Sequence, residues 1–292
     1  MAHPLAGRCR PRPESWTVAH ERLLQWALGS ILAWAGRCAG FRVVVESPVG
    51  EPDRSGCSGV GGGLGGVGGG TGSGLDSDGP VVVLARHGGP GDSFALVHLL
   101  LDRYQRRVRI VLKDILQLDP ALDILLNRLD CCFLPSKAGA GEDLPNRLAE
   151  LAGAMHGRDA LLVFPEGGNW TPGRRRRAIQ RLRAGGEEAA ADAAALMIHV
   201  LPPRPGGVLA VLDERPDVTV VLVAHAGLDR IVTAGQAWAA LPLTTPMTVR
   251  AWPASPFPRS GHDAQLAWLT TEWAIVDEWI DAHQTATPGA GT

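Results

Sequence analysis

Apolar residues in this chain fall into short blocks separated by glycine, proline and charge, and the spacing within each block predicts its element. Residues 16–39 predict a helix built around Leu23–Gly36 (LLQWALGSILAWAG). Phe41–Glu46 (FRVVVE) predicts a strand by its β-branched content. Gly56–Gly74 follows, with 12 glycines in 19 positions. That run satisfies G-x-G-x-x-G, but no helix former opens within it and Asp and Pro follow, so it predicts a flexible insertion and not a nucleotide site. Val81–Ala85 (VVVLA) resumes the fold as a strand. A loop at Arg86–Asp92 then leads to a helix over Ser93–Arg103, a strand at Val108–Leu112 and helices near Pro120–Leu129 and Leu144–His156. Ala160–Phe164 (ALLVF) predicts a further strand, ending in a turn at Pro165–Gly168. Thr171-Pro172 is a helix start, Thr as N-cap and Pro in the first turn, and that helix ends near Gly185-Gly186. An Ala-rich helix covers Glu187–Ile198. Val208–Leu212, Val218–Val223 and Met247–Ala251 predict strands. Ala264–Ala282 predicts an amphipathic helix, with Leu266, Leu269, Trp273, Val276 and Ile280 on one face.

Strands alternating with helices predict an α/β fold, a mixed, largely parallel central sheet flanked by helices, with an apolar helix at the N-terminus. The expected organisation is a tail and apolar helix over 1–40, a domain over 41–285 with a flexible glycine-rich insertion at 51–79, and a disordered tail at 286–292. The stretch at Leu23–Gly36 is shorter than the roughly 20 residues that span a bilayer. It is expected to pack on the domain or to lie in the membrane interface, where Trp26 and Trp34 suit the headgroup region, with a true span as the remaining alternative.

Composition narrows the classes. Apolar residues make up 45% of the 292, enough for a sizeable core. A formal net charge of −2 argues against a general nucleic-acid binder. The five cysteines, Cys9, Cys38, Cys57, Cys131 and Cys132, show no C-x-x-C spacing and imply a reducing cytosol without a disulfide framework.

Two strand ends carry the candidate chemistry. In Arg86-His87-Gly88-Gly89-Pro90-Gly91-Asp92 a histidine follows an apolar strand in a loop of glycine and proline, and an aspartate stands five residues on. A carboxylate on one imidazole nitrogen fixes the tautomer, leaving the other to take a proton from an alcohol. The plainer alternative is that Asp92 is only the N-cap of the next helix. At the second strand end, Phe164-Pro165-Glu166-Gly167 is followed by Arg174, Arg175, Arg176, Arg177, Arg181 and Arg183. Such a run attracts anions, with Arg174 and Arg175 as candidate substrate contacts and a solvated face or anionic lipid as alternatives. No set of carboxylates, histidines or cysteines has metal-ligand spacing, so no metal is expected. Gly88–Gly91 or Gly167 are candidate amide donors to an oxyanion.

On these residues the chain resembles the glycerophospholipid acyltransferase family, whose best-known members acylate lysophosphatidic acid. The resemblance covers roughly residues 20–285 and keeps the order of four blocks: H-x-x-x-x-D at His87 and Asp92; Leu112-Lys113-Asp114-Ile115-Leu116 through Pro120 to Phe133-Leu134; F-P-E-G at Phe164–Gly167; and Val200–Gly207. The fourth block is closest to the lysocardiolipin and lysophosphatidylinositol acyltransferase branch. Four positions depart from the pattern: Arg86 before the histidine, Gly89 after it, Gly168 for the usual Thr, and Pro135 where an arginine is frequent. The resemblance implies a glycerolipid acyltransferase fold and the transfer of a fatty acyl group from acyl-CoA or acyl carrier protein to a lysophospholipid such as 1-acylglycerol-3-phosphate. His87 would deprotonate the acceptor and Asp92 would orient it. Lys113, Glu166, Gly167 and Arg204 would serve the acceptor. No cofactor is expected beyond the acyl donor as co-substrate, and no nucleic acid. The expected partner surface is the cytoplasmic face of the cell membrane, bound peripherally or interfacially. A lipid ester or thioester hydrolase and a non-catalytic lipid-binding relative are the competing classes.

Overall fold

The computed structural model describes residues 14–46, 72–89, 91–113, 131–134, 144–228, 231 and 234–285. The helix expected at 120–129, the glycine run up to residue 71 and both tails lie outside them. The strands are β1 (Val43–Val45), β2 (Val81–Ala85), β3 (Arg107–Lys113), β4 (Cys131–Leu134), β5 (Asp159–Val163), β6 (Thr219–Ala226) and β7 (Met247–Pro253). The helices are α1 (Glu14–Ala39), α2 (Asp92–Asp102), α3 (Leu144–Gly153), α4 (Pro172–Ala184), α5 (Glu188–Leu196), α6 (Pro205–Glu214), α7 (Ala234–Ala239) and α8 (His262–Thr285).

The described strands form one sheet in the order β1-β7-β6-β2-β5-β3-β4. Every neighbouring pair is parallel except β6 and β7. The sheet is thus mixed and largely parallel, as the alternation of elements predicts. β2 lies between β6 and β5, and every residue of β2 and β5 is buried. Central parallel strands covered on both faces read as continuous apolar runs, which is why VVVLA and ALLVF stand out in the sequence. Alternation divides their side chains between two cores. Val81, Val83, Ala85, Ala160 and Leu162 pack with Leu24 and Leu28 of α1 and with Ala95, Leu96 and Leu100 of α2. Val82, Leu84, Leu161 and Val163 pack on the opposite face with α3, α6 and α8, including Leu148, Val208, Leu212 and Trp273.

One expectation is overturned. Val208–Leu212 is helical, inside α6, and is not a strand. The helix opens at Arg204-Pro205, with Pro in the first turn, and buries Val208, Leu209, Val211 and Leu212. Those positions fit a 3.6-residue period as well as a strand, and a short apolar run does not separate the two. β4 and α7 are further elements that the sequence pattern did not predict.

α1 packs on α2, and Gln25 Nε2 donates to Asp102 Oδ1 at 2.9 Å. α1 also exposes Leu23, Trp26, Ile31 and Trp34. Among the described residues no helix is long and apolar enough to cross a membrane.

Candidate active site

The three central strands β6, β2 and β5 run parallel, so their C-terminal ends share one edge of the sheet. That edge is where open α/β sheets present functional groups. The chain leaves β2 at Arg86, whose N–H still donates to Val223 O at 3.1 Å. His87 follows and is about one-fifth exposed. The loop then curls back on Asp92. Gly91 adopts the left-handed region, φ 97°, and occupies the N-cap of α2. Asp92 is therefore the first helical residue and does not cap the helix from the N-cap position, which sets aside the plainer reading of this residue. Its carboxylate collects the loop. Oδ2 accepts Gly88 N–H at 2.7 Å and Gly89 N–H at 3.1 Å, while Oδ1 accepts Ser93 N–H at 2.6 Å and the Ser93 hydroxyl at 3.1 Å. His87 Nδ1 lies 3.2 Å from Oδ2. Burial works to raise the carboxyl's pKa, but hydrogen bonds and charge from His225 and His87 outweigh it and hold Asp92 well below the usual carboxylate range. Asp92 is thus an anion, and an acceptor there places the proton of His87 on Nδ1. No described residue bonds His87 Nε2, so its lone pair is available to accept a proton.

The turn after β5 completes the site. The Phe164 ring lies 4.7 Å from the His87 ring, tilted by 35°. Trp170 N–H donates to His87 O at 2.8 Å, and Gly167 N–H donates to Phe164 O at 3.0 Å. Gly167 has φ 65°, in the left-handed region that suits glycine. The Arg204 guanidinium packs against it, so close that a Cβ at Gly167 would sit 3.0 Å from Cζ. A Cβ at Gly168 would sit 2.8 Å from Arg174 Nη1. Two exposed guanidinium groups, Arg204 and Arg174, therefore flank the Gly167-Gly168 turn. Glu166 is the opposite case, only 2% exposed. Desolvation pushes its pKa well up, against the Arg86 charge and the nearby N–H groups of Leu201 and His87, and neither carboxyl oxygen completes a hydrogen bond among the described residues.

The model of the acyltransferase family matches residues 71–228, which contain the loop, the turn and all three central strands. The chain belongs to the acyltransferase family. No curated protein matches it.

The remaining residues of interest in this acyltransferase are placed as follows. Arg175 is committed elsewhere. Its Nε donates to Met197 O at 2.6 Å and its Nη2 to Ala195 O at 2.7 Å and Ala194 O at 3.3 Å, at the C-terminal end of α5. That is where a cation satisfies orphan helix carbonyls. Lys113 ends β3, opposite Leu134 of β4. The Gly88 and Gly89 amides are bound to Asp92 and the Gly167 amide to Phe164 O, so three of the expected oxyanion donors are already engaged. Among the described residues no group of three His, Cys, Asp or Glu side chains is placed to hold a metal ion. One buried residue at this edge was not singled out by sequence, His225 near the end of β6, while Arg86, read there only as a departure from the family pattern, is a structural tie. The signal that marked His87, a titratable residue closing an apolar strand, also marks His225.

Proposed function

We propose that this acyltransferase moves a fatty acyl group from a thioester, acyl-CoA or acyl carrier protein, to the hydroxyl of a lysophospholipid such as 1-acylglycerol-3-phosphate. His87 is the general base and Asp92 its orienting partner. The observation that carries the reading is the 3.2 Å contact between His87 Nδ1 and the buried Asp92 carboxylate, with Nε2 uncommitted among the described residues. The thioester carbonyl is already electrophilic, so no nucleophilic side chain is required. His87 Nε2 takes the acceptor's hydroxyl proton as its oxygen attacks the carbonyl carbon. The tetrahedral intermediate expels the thiolate, and the imidazolium returns the proton to sulfur. Arg204 and Arg174, on either side of the Gly167 turn, bind the acceptor phosphate. Glu166 serves that site from below, by shaping the turn that carries Gly167. The exposed face of α1, with Leu23, Trp26, Ile31 and Trp34, rests on the cytoplasmic face of the membrane, where the lipid acceptor resides.

The experiment is an acceptor panel with isotopically labelled acyl-CoA, read by mass spectrometry of the lipid product. Free thiol should appear only with an acceptor present. Thiol release without acceptor would favour a hydrolase, and no turnover with any acceptor would sink the proposal.

A further inference from the structure

A second imidazole reaches the same carboxylate from beneath the loop. Ala85 pairs with Val223 in the parallel register of β2 and β6, so two residues further along, His87 and His225 come level. His225 is buried, and its Nε2 lies 3.3 Å from Asp92 Oδ2 and 3.2 Å from Arg86 O. Both neighbours are acceptors, so Nε2 carries the proton. Arg86 returns the contact, its Nη1 donating to His225 O at 2.9 Å and its Nη2 to His199 O at 3.0 Å. The loop lies directly on the ring, because a Cβ at Gly88 would stand 2.9 Å from His225 Cε1. His225 Nδ1 is buried and bonds to nothing among the described residues. An idle polar atom is a cost, and an aliphatic residue in this strand of Val, Leu and Ala would avoid it. What the histidine supplies in exchange is the donor on its other nitrogen.

We propose that His225 is a positioning residue for the proton transfer, sharing Asp92 Oδ2 with His87 and thereby setting how strongly the carboxylate holds the His87 proton. This rests on the reading of His87 as the base. Oδ2 faces four donors: the amides of Gly88 and Gly89, His87 Nδ1 and His225 Nε2. Each donor draws on the same negative charge. His225 keeps the carboxylate aimed at His87 and weakens its pull, so the imidazolium gives its proton up readily. Beside this cluster stand Arg86, packed against His225, and Glu166, buried within charge range of Arg86 and Asp92.

The test compares His225→Leu, His225→Gln and His87→Ala with the unaltered protein, using acyl-CoA and 1-acylglycerol-3-phosphate. His225→Leu lacks the donor, and its kcat should fall by about tenfold or more. Its acyl-CoA KM should stay within roughly twofold, since no contact to the donor is removed. The acid limb of its kcat/KM profile should move to higher pH by about half a unit, because the undivided carboxylate charge stabilises the imidazolium. His225→Gln places an amide N–H near the position of Nε2 and should recover most of the rate and the original acid limb. If Leu prevents folding, His225→Asn, whose shorter amide falls short of Asp92, replaces it in the comparison with Gln. Equal rates and an unshifted acid limb in the donor-lacking and Gln variants would overturn the proposal, whatever happens to Tm. Full activity in His87→Ala would instead remove the general-base reading itself.

Discussion

The backbone N–H of Trp170 donates to the carbonyl of His87 at 2.8 Å. Through this bond the loop after β2 and the turn after β5 hold each other, and the tilted contact between the Phe164 and His87 rings adds a second tie. His87 and the turn flanked by arginines are therefore one unit, and a change in either is expected at the other. A proton acceptor and a cationic turn need a fixed separation if they are to handle one substrate.

Asp92→Asn should lower kcat by roughly 10²-fold or more while leaving a folded protein. All six groups around this carboxylate are donors: the Gly88, Gly89 and Ser93 amides, the Ser93 hydroxyl and two imidazoles. An amide side chain offers one acceptor oxygen and must turn its NH2 toward some of them, so Tm should fall as well. Steady-state kinetics with circular dichroism checks both. A variant with near-normal kcat would show that the carboxylate charge is not used.

Gly88→Ala should be destabilised by about 1–3 kcal/mol. The added Cβ would stand 2.9 Å from His225 Cε1 and 3.0 Å from Arg86 Nη1, and both side chains are held by hydrogen bonds of their own. Denaturant unfolding measures the loss. Unchanged stability would mean that the loop is free to lift off the ring.

Glu166→Gln should alter the pH dependence of stability. Burial raises the folded pKa of this acid above its unfolded value, with the Arg86 charge opposing. Between those two values the folded state holds a proton that the unfolded chain has released, so stability falls as pH rises through that window. Gln removes the titration. The variant should match the unaltered protein near the ordinary glutamate range and exceed it increasingly at higher pH, as read by Tm across a pH series. A parallel offset at all pH values would contradict a raised Glu166.

Much of this site was legible in the sequence. β2 and β5 announce themselves because both faces are buried, and the residues that end them, His87 and Phe164 to Gly167, are where the chain turns polar. The start of α4 was legible because Thr171 caps it, accepting Arg174 N–H at 3.1 Å. His225 escaped notice because the strand was expected to end at Val223, although apolar pairing carries β6 on to Ala226. Arg175 was unreadable for a different reason. Its partners, the carbonyls of Ala194, Ala195 and Met197, are backbone groups that only tertiary packing brings near. An arginine in a run of arginines carries no sign of which neighbour faces a carbonyl and which faces solvent.

Trp26→Ser with Trp34→Ser should weaken sedimentation with phospholipid vesicles several-fold without lowering Tm. Both indoles are more than 60% exposed on α1, so removing them takes nothing from the core. Interfacial binding scales with the apolar area placed in the headgroup region. Indole fluorescence of the unaltered protein should shift to shorter wavelength on vesicles and lose that shift in the double variant. Undiminished vesicle binding would assign the membrane contact to another surface.

The arginines of the cationic turn separate by position. Arg204 packs on Gly167 beside the loop that carries His87, whereas Arg175 is bound to the carbonyl end of α5. Arg204→Ala should therefore raise the KM for a short-chain, water-soluble 1-acylglycerol-3-phosphate by about tenfold, the scale of one charge-assisted hydrogen bond to phosphate. Its Tm should hold, since the side chain is exposed. Arg175→Ala should do the reverse. Losing the cation at a helix C-terminus and its three carbonyl contacts should cost about 1–2 kcal/mol, a few degrees in Tm, with KM nearly unchanged. The comparison with a neutral acceptor, 1-acylglycerol, completes the argument. If Arg204 binds phosphate, Arg204→Ala should not affect the neutral acceptor, and the discrimination between the two acceptors should shrink by the same factor that KM rises. Equal losses on both acceptors would mean that Arg204 shapes the turn and the phosphate is bound elsewhere.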